Sequence, residues 1–193
     1  MLLDWWGKHS YGRQCYIGLG FFRAGSNAAW KDKTQLPRQI EALRETPGVQ
    51  GMIFFSSKSF EKNPLGWNDS LQNNYYKFPA LVPPMNWLDT SAPMELFIHT
   101  KFNKQDSVMT VFLENKSVSD NLRGYVVYRS SKESFDQDSV VMFQVVPNTK
   151  DSKFILRTTQ WQYKKGFSYF VTALNRLNIE SKPVMMFSLF PEH

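Results

Sequence analysis

Two nearly continuous apolar runs, Cys15 to Phe22 and Val49 to Ser56, flank a segment with helical period. In that segment, Gln35 to Glu45, Leu36, Ile40 and Leu43 recur on one face, Thr34 stands where a helix cap belongs, and Pro47-Gly48 closes the run. Strands that are apolar throughout belong to parallel sheets covered on both faces, and strand–helix–strand units build such sheets with right-handed crossovers. The pattern predicts a β-α-β unit. Before it, Leu2, Leu3, Trp5 and Trp6 read as the end of a helix stopped by Gly7 and the Ser10-Tyr11-Gly12 turn. A parallel strand buried on both faces needs a neighbour at each edge, so two strands alone do not complete the pattern.

The pattern changes after a proline-rich link (Pro79, Pro83, Pro84, Pro93). Short strand signals now recur about every ten to fifteen residues with turns between them. They fall at Glu95–His99, Val108–Glu114, Arg123–Arg129, Val140–Val146, Lys153–Thr158, Phe167–Asn175 and Val184–Phe190. Short strands without helices predict an immunoglobulin-like sandwich, and the lack of a cysteine pair argues against an antibody-type domain.

Bulk properties narrow the function classes. Hydrophobic residues make up 42% and charged residues 21% of the 193, which is ordinary for a globular chain and argues against disorder. The net charge of +6 invites a nucleic-acid reading, but residues 1–91 and 92–193 each carry +3 and no basic arm stands out. The adjacent pair Lys164-Lys165 precedes Gly166 in an expected turn, so the charge reads as a solvated face and nucleic acid is not an expected partner. The single cysteine, Cys15, allows no internal disulfide and reads as a structural thiol. His9, His99 and His193 lie far apart without metal-ligand spacing, so no metal or other cofactor is expected. No apolar stretch approaches the length of a membrane span, and the start carries no signal-peptide pattern. Aromatic residues at 16% are read chiefly as core, although aromatics also line sugar-binding clefts.

The first half resembles a known family. Trp5-Trp6, Tyr16-Ile17-Gly18, Phe22-Arg23, Leu36-Pro37-Arg38-Gln39-Ile40 and Val49 through Lys58 look like the last two βα units of the glycosyl-hydrolase-like 10 family. Asn63-Pro64-Leu65-Gly66, Tyr75-Tyr76 and Pro79 through Trp87 are similar to that family's link into its C-terminal module. The resemblance implies a (β/α)8 barrel that acts on glycosides, in proteins that are often secreted or lipoproteins. It makes residues 1–91 the C-terminal portion of such a barrel, missing most of its strands, with Met1 internal to a longer parent. The second half resembles fibronectin type III. Arg123 through Tyr128 is similar to its third strand. Tyr163 through Asn175 is similar to its sixth strand, with Tyr169 at the tyrosine-corner position, and Asn178 through Pro183 to the turn into its last strand. The usual tryptophan of the second strand is missing, and Phe112 or Leu113 is expected in its place. The expected fold class is thus an α/β barrel remnant (1–91) followed by an all-β fibronectin type III sandwich (92–193).

Barrel enzymes place their reacting groups at the C-terminal ends of the strands, and glycoside hydrolysis takes two carboxyl groups there. Here the strand ends carry Phe21-Phe22-Arg23 and Ser56-Ser57-Lys58, with no acid, so no catalytic residue is expected in this chain. Arg23, Ser56 and Lys58 are candidates to hydrogen-bond sugar hydroxyls or a carboxylate, against the alternative that the two cations pair with nearby acids. Trp30 and Trp67 are candidates to stack on a sugar ring, against the alternative of packing over the barrel rim. The expected function is a fragment of a glycoside hydrolase-like protein, inactive alone, with carbohydrate as the partner and the remaining barrel segments or a second copy completing the fold. The alternative is a stand-alone carbohydrate- or protein-binding module.

Overall fold

The structure, a computed structural model, describes residues 2–94, 96–103, 108–114, 121–148, 153–157 and 166–188. The chain divides into two compact units, Met1–Lys77 and Phe78–His193. Among the described residues the architecture is mixed α/β, with one two-stranded parallel sheet, two antiparallel sheets and a few short helices.

The first unit contains α1 (Leu2–Lys8), β1 (Tyr16–Leu19), α2 (Ala28–Lys31), α3 (Gln35–Glu45), β2 (Gly51–Phe54) and α4 (Trp67–Ser70). β1 and β2 pair in parallel, Tyr16 opposite Gly51 and Leu19 opposite Phe54, with α3 as the crossover. The strands are shorter than the apolar runs, because Phe21–Arg23 turns into a 3₁₀ segment that seats Phe21 in the core. Leu36, Ile40 and Leu43 of α3 pack with Leu19, Phe21, Trp67 and Leu71, and Ile17, Met52 and Phe54 close over them. Each such fully buried aliphatic side chain contributes roughly 1.5–3 kcal/mol of transfer free energy.

The expectation of burial on both faces is corrected. Successive strand residues point to opposite faces. Ile17, Leu19, Met52 and Phe54 take the α3 side, which leaves Ile53 60% and Phe55 66% exposed on the other. Among the described residues of this unit, no helix covers that second face.

Two local expectations are also corrected. Gly7 does not stop α1 but lies buried inside it. A Cβ at Gly7 would stand 2.4 Å from the Pro47 carbonyl oxygen, so the glycine lets the turn after α3 lie directly on the helix. Thr34 makes no side-chain cap; its backbone is already helical. Asp32 does that work instead, accepting from the Thr34 amide (2.9 Å) and hydroxyl (2.8 Å) and pairing with Arg38 (2.6 Å). These hydrogen bonds from Thr34, and then the Arg38 charge, hold the Asp32 carboxyl below the usual carboxylate value.

The second unit contains β3 (Phe97–Asn103), β4 (Val108–Glu114), β5 (Leu122–Ser130), β6 (Val140–Pro147), β7 (Lys153–Arg157), β8 (Ser168–Asn175) and β9 (Val184–Ser188). One sheet has the order β3-β4-β7, the other β6-β5-β8-β9, all antiparallel. Their inner faces share a core of Val111, Leu113, Tyr125, Val127, Tyr169, Val171, Ala173 and Met186. This is a fibronectin type III-like sandwich. On β4, where the tryptophan is missing, Val111 and Leu113 are buried in this core at 0% and 2% exposure, and Phe112 is half-buried. Tyr169 is 1% exposed and stacks on Phe187 at 4.8 Å. The residues ahead of it, including Tyr163 and Lys164-Lys165, lie outside the described residues, as do Met1, Glu95, Thr158, Phe190 and His193.

β8 is buried along its whole length, so its outer face is covered too. The cover begins with the turn after β8. Asn175 Oδ1 accepts from the amides of Leu177 and Ile179, and the Ser181 amide donates to the Ala173 carbonyl (2.9 Å). Asn178 adopts a left-handed conformation (φ 61°), which asparagine tolerates better than most residues. The proline-rich link belongs to this unit, with the Met85 amide donating to Leu177 O and Asn175 Nδ2 to Ser91 O.

Candidate functional site at the ends of the parallel strands

The residues just beyond β1 and β2 form the walls of two adjoining cavities. The first, about 340 Å³, is lined by Phe22, Ala24, Ser56, Lys58, Lys62 and Pro64 among others. The second, about 500 Å³, is lined by Gly20, Phe22, Arg23, Trp30, Gln39 and Phe55 among others. Phe22 walls both. Its position follows from the chain reversal that ends β1: the Phe22 amide donates to the Phe55 carbonyl (3.2 Å), which ties the two strand ends together.

Four of the five residues singled out from sequence therefore meet here. Arg23 is exposed, with its guanidinium carbon 5.8 Å from the Phe22 ring centre. Lys58 rides on a 3₁₀ turn, Ser57–Ser59, that starts at half-buried Ser56. Among the described residues neither cation pairs with an acid, and the Ser56 hydroxyl makes no hydrogen bond, which leaves all three groups open toward a ligand. Trp30 is half-buried and meets Trp67 edge-on at 6.3 Å.

Trp67 is the exception and a correction. It is 2% exposed, its ring sits 5.7 Å from Phe21, and its indole N–H donates to the Lys33 carbonyl (2.9 Å). Neither ring face is open for a sugar. Next door, Asn63 Oδ1 accepts from the Asn68 amide (3.0 Å) within the first turn of α4.

Sequence reasoning passed over a better aromatic platform. Phe22 and Phe55, 56% and 66% exposed, stand edge-to-face at 5.8 Å. The period-2 alternation of Phe54 and Phe55 carried that signal, because only one of two adjacent strand residues can point into the core. Lys62 was likewise hidden in a loop.

No Asp or Glu lines either cavity. Among the described residues no group of His, Cys, Asp and Glu is placed to hold a metal, and no helix is long and apolar enough to cross a membrane. The lining offers cations, a hydroxyl and aromatic faces, and no carboxyl group.

A separate apolar groove of about 630 Å³ is lined by all four β1 residues together with Cys15, Leu2, Leu3 and Trp6 from the α1 side, and Gln39, Ala42 and Leu43 from α3. Cys15 is half-buried there, its amide bonded to Gln50 Oε1.

No family model matches the chain. Among curated proteins it is similar to the glycosyl hydrolase YngK of Bacillus subtilis (strain 168), with 32% identity over 189 residues, covering 94% of this chain and 36% of that protein. Among solved structures it is similar to an Fn3-like protein from Clostridium thermocellum, with 12% identity and a TM-score of 0.33 over 54% of this chain and 96% of that one. It is also similar to the pectate lyase PelI from Erwinia chrysanthemi, with 13% identity and a TM-score of 0.33 over 47% of this chain and 27% of that one. The chain spans about a third of the length of the curated relative it matches.

Proposed function

We propose that this chain corresponds to the C-terminal part of a glycoside hydrolase-like protein of the glycosyl-hydrolase-like 10 type. In this reading residues 1–91 are the last two βα units of a (β/α)8 barrel together with the link that follows them, which packs with the second unit from Phe78 on, and residues 92–193 are its fibronectin type III appendage. The observation that carries the reading is the 32% identity to a protein named a glycosyl hydrolase, running through almost the whole chain. Two features of the first unit support it. The sheet face bearing Ile53 and Phe55 is apolar and open, as a barrel's inward face would be before its other strands close over it. The groove along β1, lined by apolar residues of both flanking helices, has the place and character of a site for one more strand. Arg23, Ser56 and Lys58, with Trp30, Phe22 and Phe55, then form one sector of a sugar-binding cleft whose carboxyl groups come from other strands.

The test joins this chain to the preceding barrel portion of the Bacillus relative and measures hydrolysis of glycan substrates. The chain alone is expected to be inactive and the fusion active, with Arg23→Ala and Lys58→Ala each lowering kcat/KM about ten-fold or more. Hydrolysis by the chain alone, or a fusion indifferent to both substitutions, overturns the proposal.

A further inference from the structure

The outer face of the β6-β5-β8-β9 sheet, in the other unit, holds a further pocket. About 460 Å³ in volume, it is lined by Tyr128 of β5, Phe135 and Gln137 of the β5–β6 loop, Val140 of β6, Thr172 of β8, and Glu180, Ser181 and Pro183 ahead of β9. That size is within the range of about 300–1,000 Å³ typical of small-ligand sites.

Its chemistry is organised around one carboxylate. Glu180 makes an isolated bridge with Leu174, which lays its side chain beside β8. One of its oxygens, Oε2, accepts from the Tyr128 hydroxyl (2.8 Å) and from the Thr172 hydroxyl (2.5 Å). Among the described residues no donor reaches Oε1 and no cation pairs with the group. The carboxylate is thus held in place while half of its accepting capacity is unused. Beside it Phe135 stands at right angles to Tyr128 (5.4 Å) and to Phe170 (5.4 Å), which fixes that ring as a wall. Gln137, exposed, adds a carboxamide that both donates and accepts.

We infer that this pocket is a saccharide-binding site of the sandwich, in which Glu180 Oε1 and Gln137 take ring hydroxyls and Phe135 packs on the apolar face of a pyranose. Sugars combine hydroxyl donors with an apolar C–H face, and this pocket supplies an acceptor, an amide and an aromatic wall within one cavity. A cationic peptide side chain fits less well. Cation recognition surrounds the charge with aromatic faces, whereas here Tyr128 turns its hydroxyl to Glu180 and Phe135 is edge-on to its neighbours. Two hydroxyl donors also already share the carboxylate charge. Burial, and then the hydrogen bond to Glu180, push the Tyr128 phenol well above its ordinary value, so it stays a donor throughout the neutral range. The site lies within the second unit, so its fate is independent of whether the first belongs to a hydrolase.

The experiment titrates the full chain with cellotetraose and with tetra-N-acetylchitotetraose, followed by calorimetry and by amide NMR shifts. At least one tetrasaccharide is expected to bind saturably with Kd of about 0.1–1 mM, shifting amides around Phe135, Thr172 and Glu180. Phe135→Ala and Glu180→Gln should each weaken binding about ten-fold, and Gln137→Ala about three-fold, with melting of each variant followed alongside. Gln137 is exposed and outside the core, so its variant decides the matter even if Phe135→Ala unfolds. Three results each overturn the inference: neither tetrasaccharide binding, binding unaffected by Glu180→Gln and Gln137→Ala, or a lysine-containing peptide shifting the pocket amides where both sugars leave them unmoved.

Discussion

Removing the Trp67 side chain should unfold the first unit rather than merely weaken sugar binding. The indole is 2% exposed and packs against Phe21 and Trp30, so Trp67→Ala opens a large cavity in a small core. Such truncations cost about 3–5 kcal/mol. Losing the indole N–H also strips the Lys33 carbonyl of its donor, worth up to about 1 kcal/mol more. At roughly 0.05–0.15 kcal/mol per residue, a unit of 77 residues has about 4–12 kcal/mol in total, so the substitution removes from about a quarter to all of it. Trp67→Phe keeps a ring but not the donor and should cost roughly 1–3 kcal/mol. Urea unfolding followed by tryptophan fluorescence reports on this unit, because Trp5, Trp6 and Trp30 remain in it as probes. A Trp67→Ala chain within about 1 kcal/mol of the parent would place the indole at the surface and refute the packing role assigned to it.

Ile53→Ser tests the open sheet face. At 60% exposure the side chain forfeits only about two-fifths of its roughly 1.5–3 kcal/mol transfer value, so the expected loss is about 1 kcal/mol; a denaturant measurement above about 2 kcal/mol would mean that the face is covered in solution. Asp32 gives a pH signature. Its folded pKa is depressed below the ordinary 3.8, so the stability it adds is complete above that value and is lost as the pH falls through the lower folded value. Melting profiles of Asp32→Asn should therefore diverge from the parent above pH 4 and converge with it in stronger acid; a constant gap at every pH would contradict the assignment.

Much of the fold is legible in the residue pattern because burial has a period. The 3.6-residue spacing of Leu36, Ile40 and Leu43 and the apolar runs around them specify a β-α-β unit, and they form one. The seven strand signals specify a sandwich for the same reason, with ends shifted by a residue or more where turns compete. The gathering of Arg23, Trp30, Ser56 and Lys58 follows as well, since residues just past neighbouring parallel strands share one end of a sheet.

What the pattern does not carry is set by contacts between residues distant along the chain. An apolar strand reads the same whether both faces or only one is covered, so the exposure of Ile53 and Phe55 appears only once the neighbours are placed. A glycine after a helical run reads as a stop, yet Gly7 is there because Pro47, forty residues on, lies against the helix. Trp67 reads as a loop aromatic until the Lys33 carbonyl draws its indole inward. Glu180 reads only as part of the Asn178–Pro183 turn until the bridge to Leu174 brings it under Tyr128 and Thr172. The sequence alone thus determined the elements, whose cause is local and periodic. Only the tertiary structure decided which side chains face a ligand, because that depends on what the rest of the chain covers.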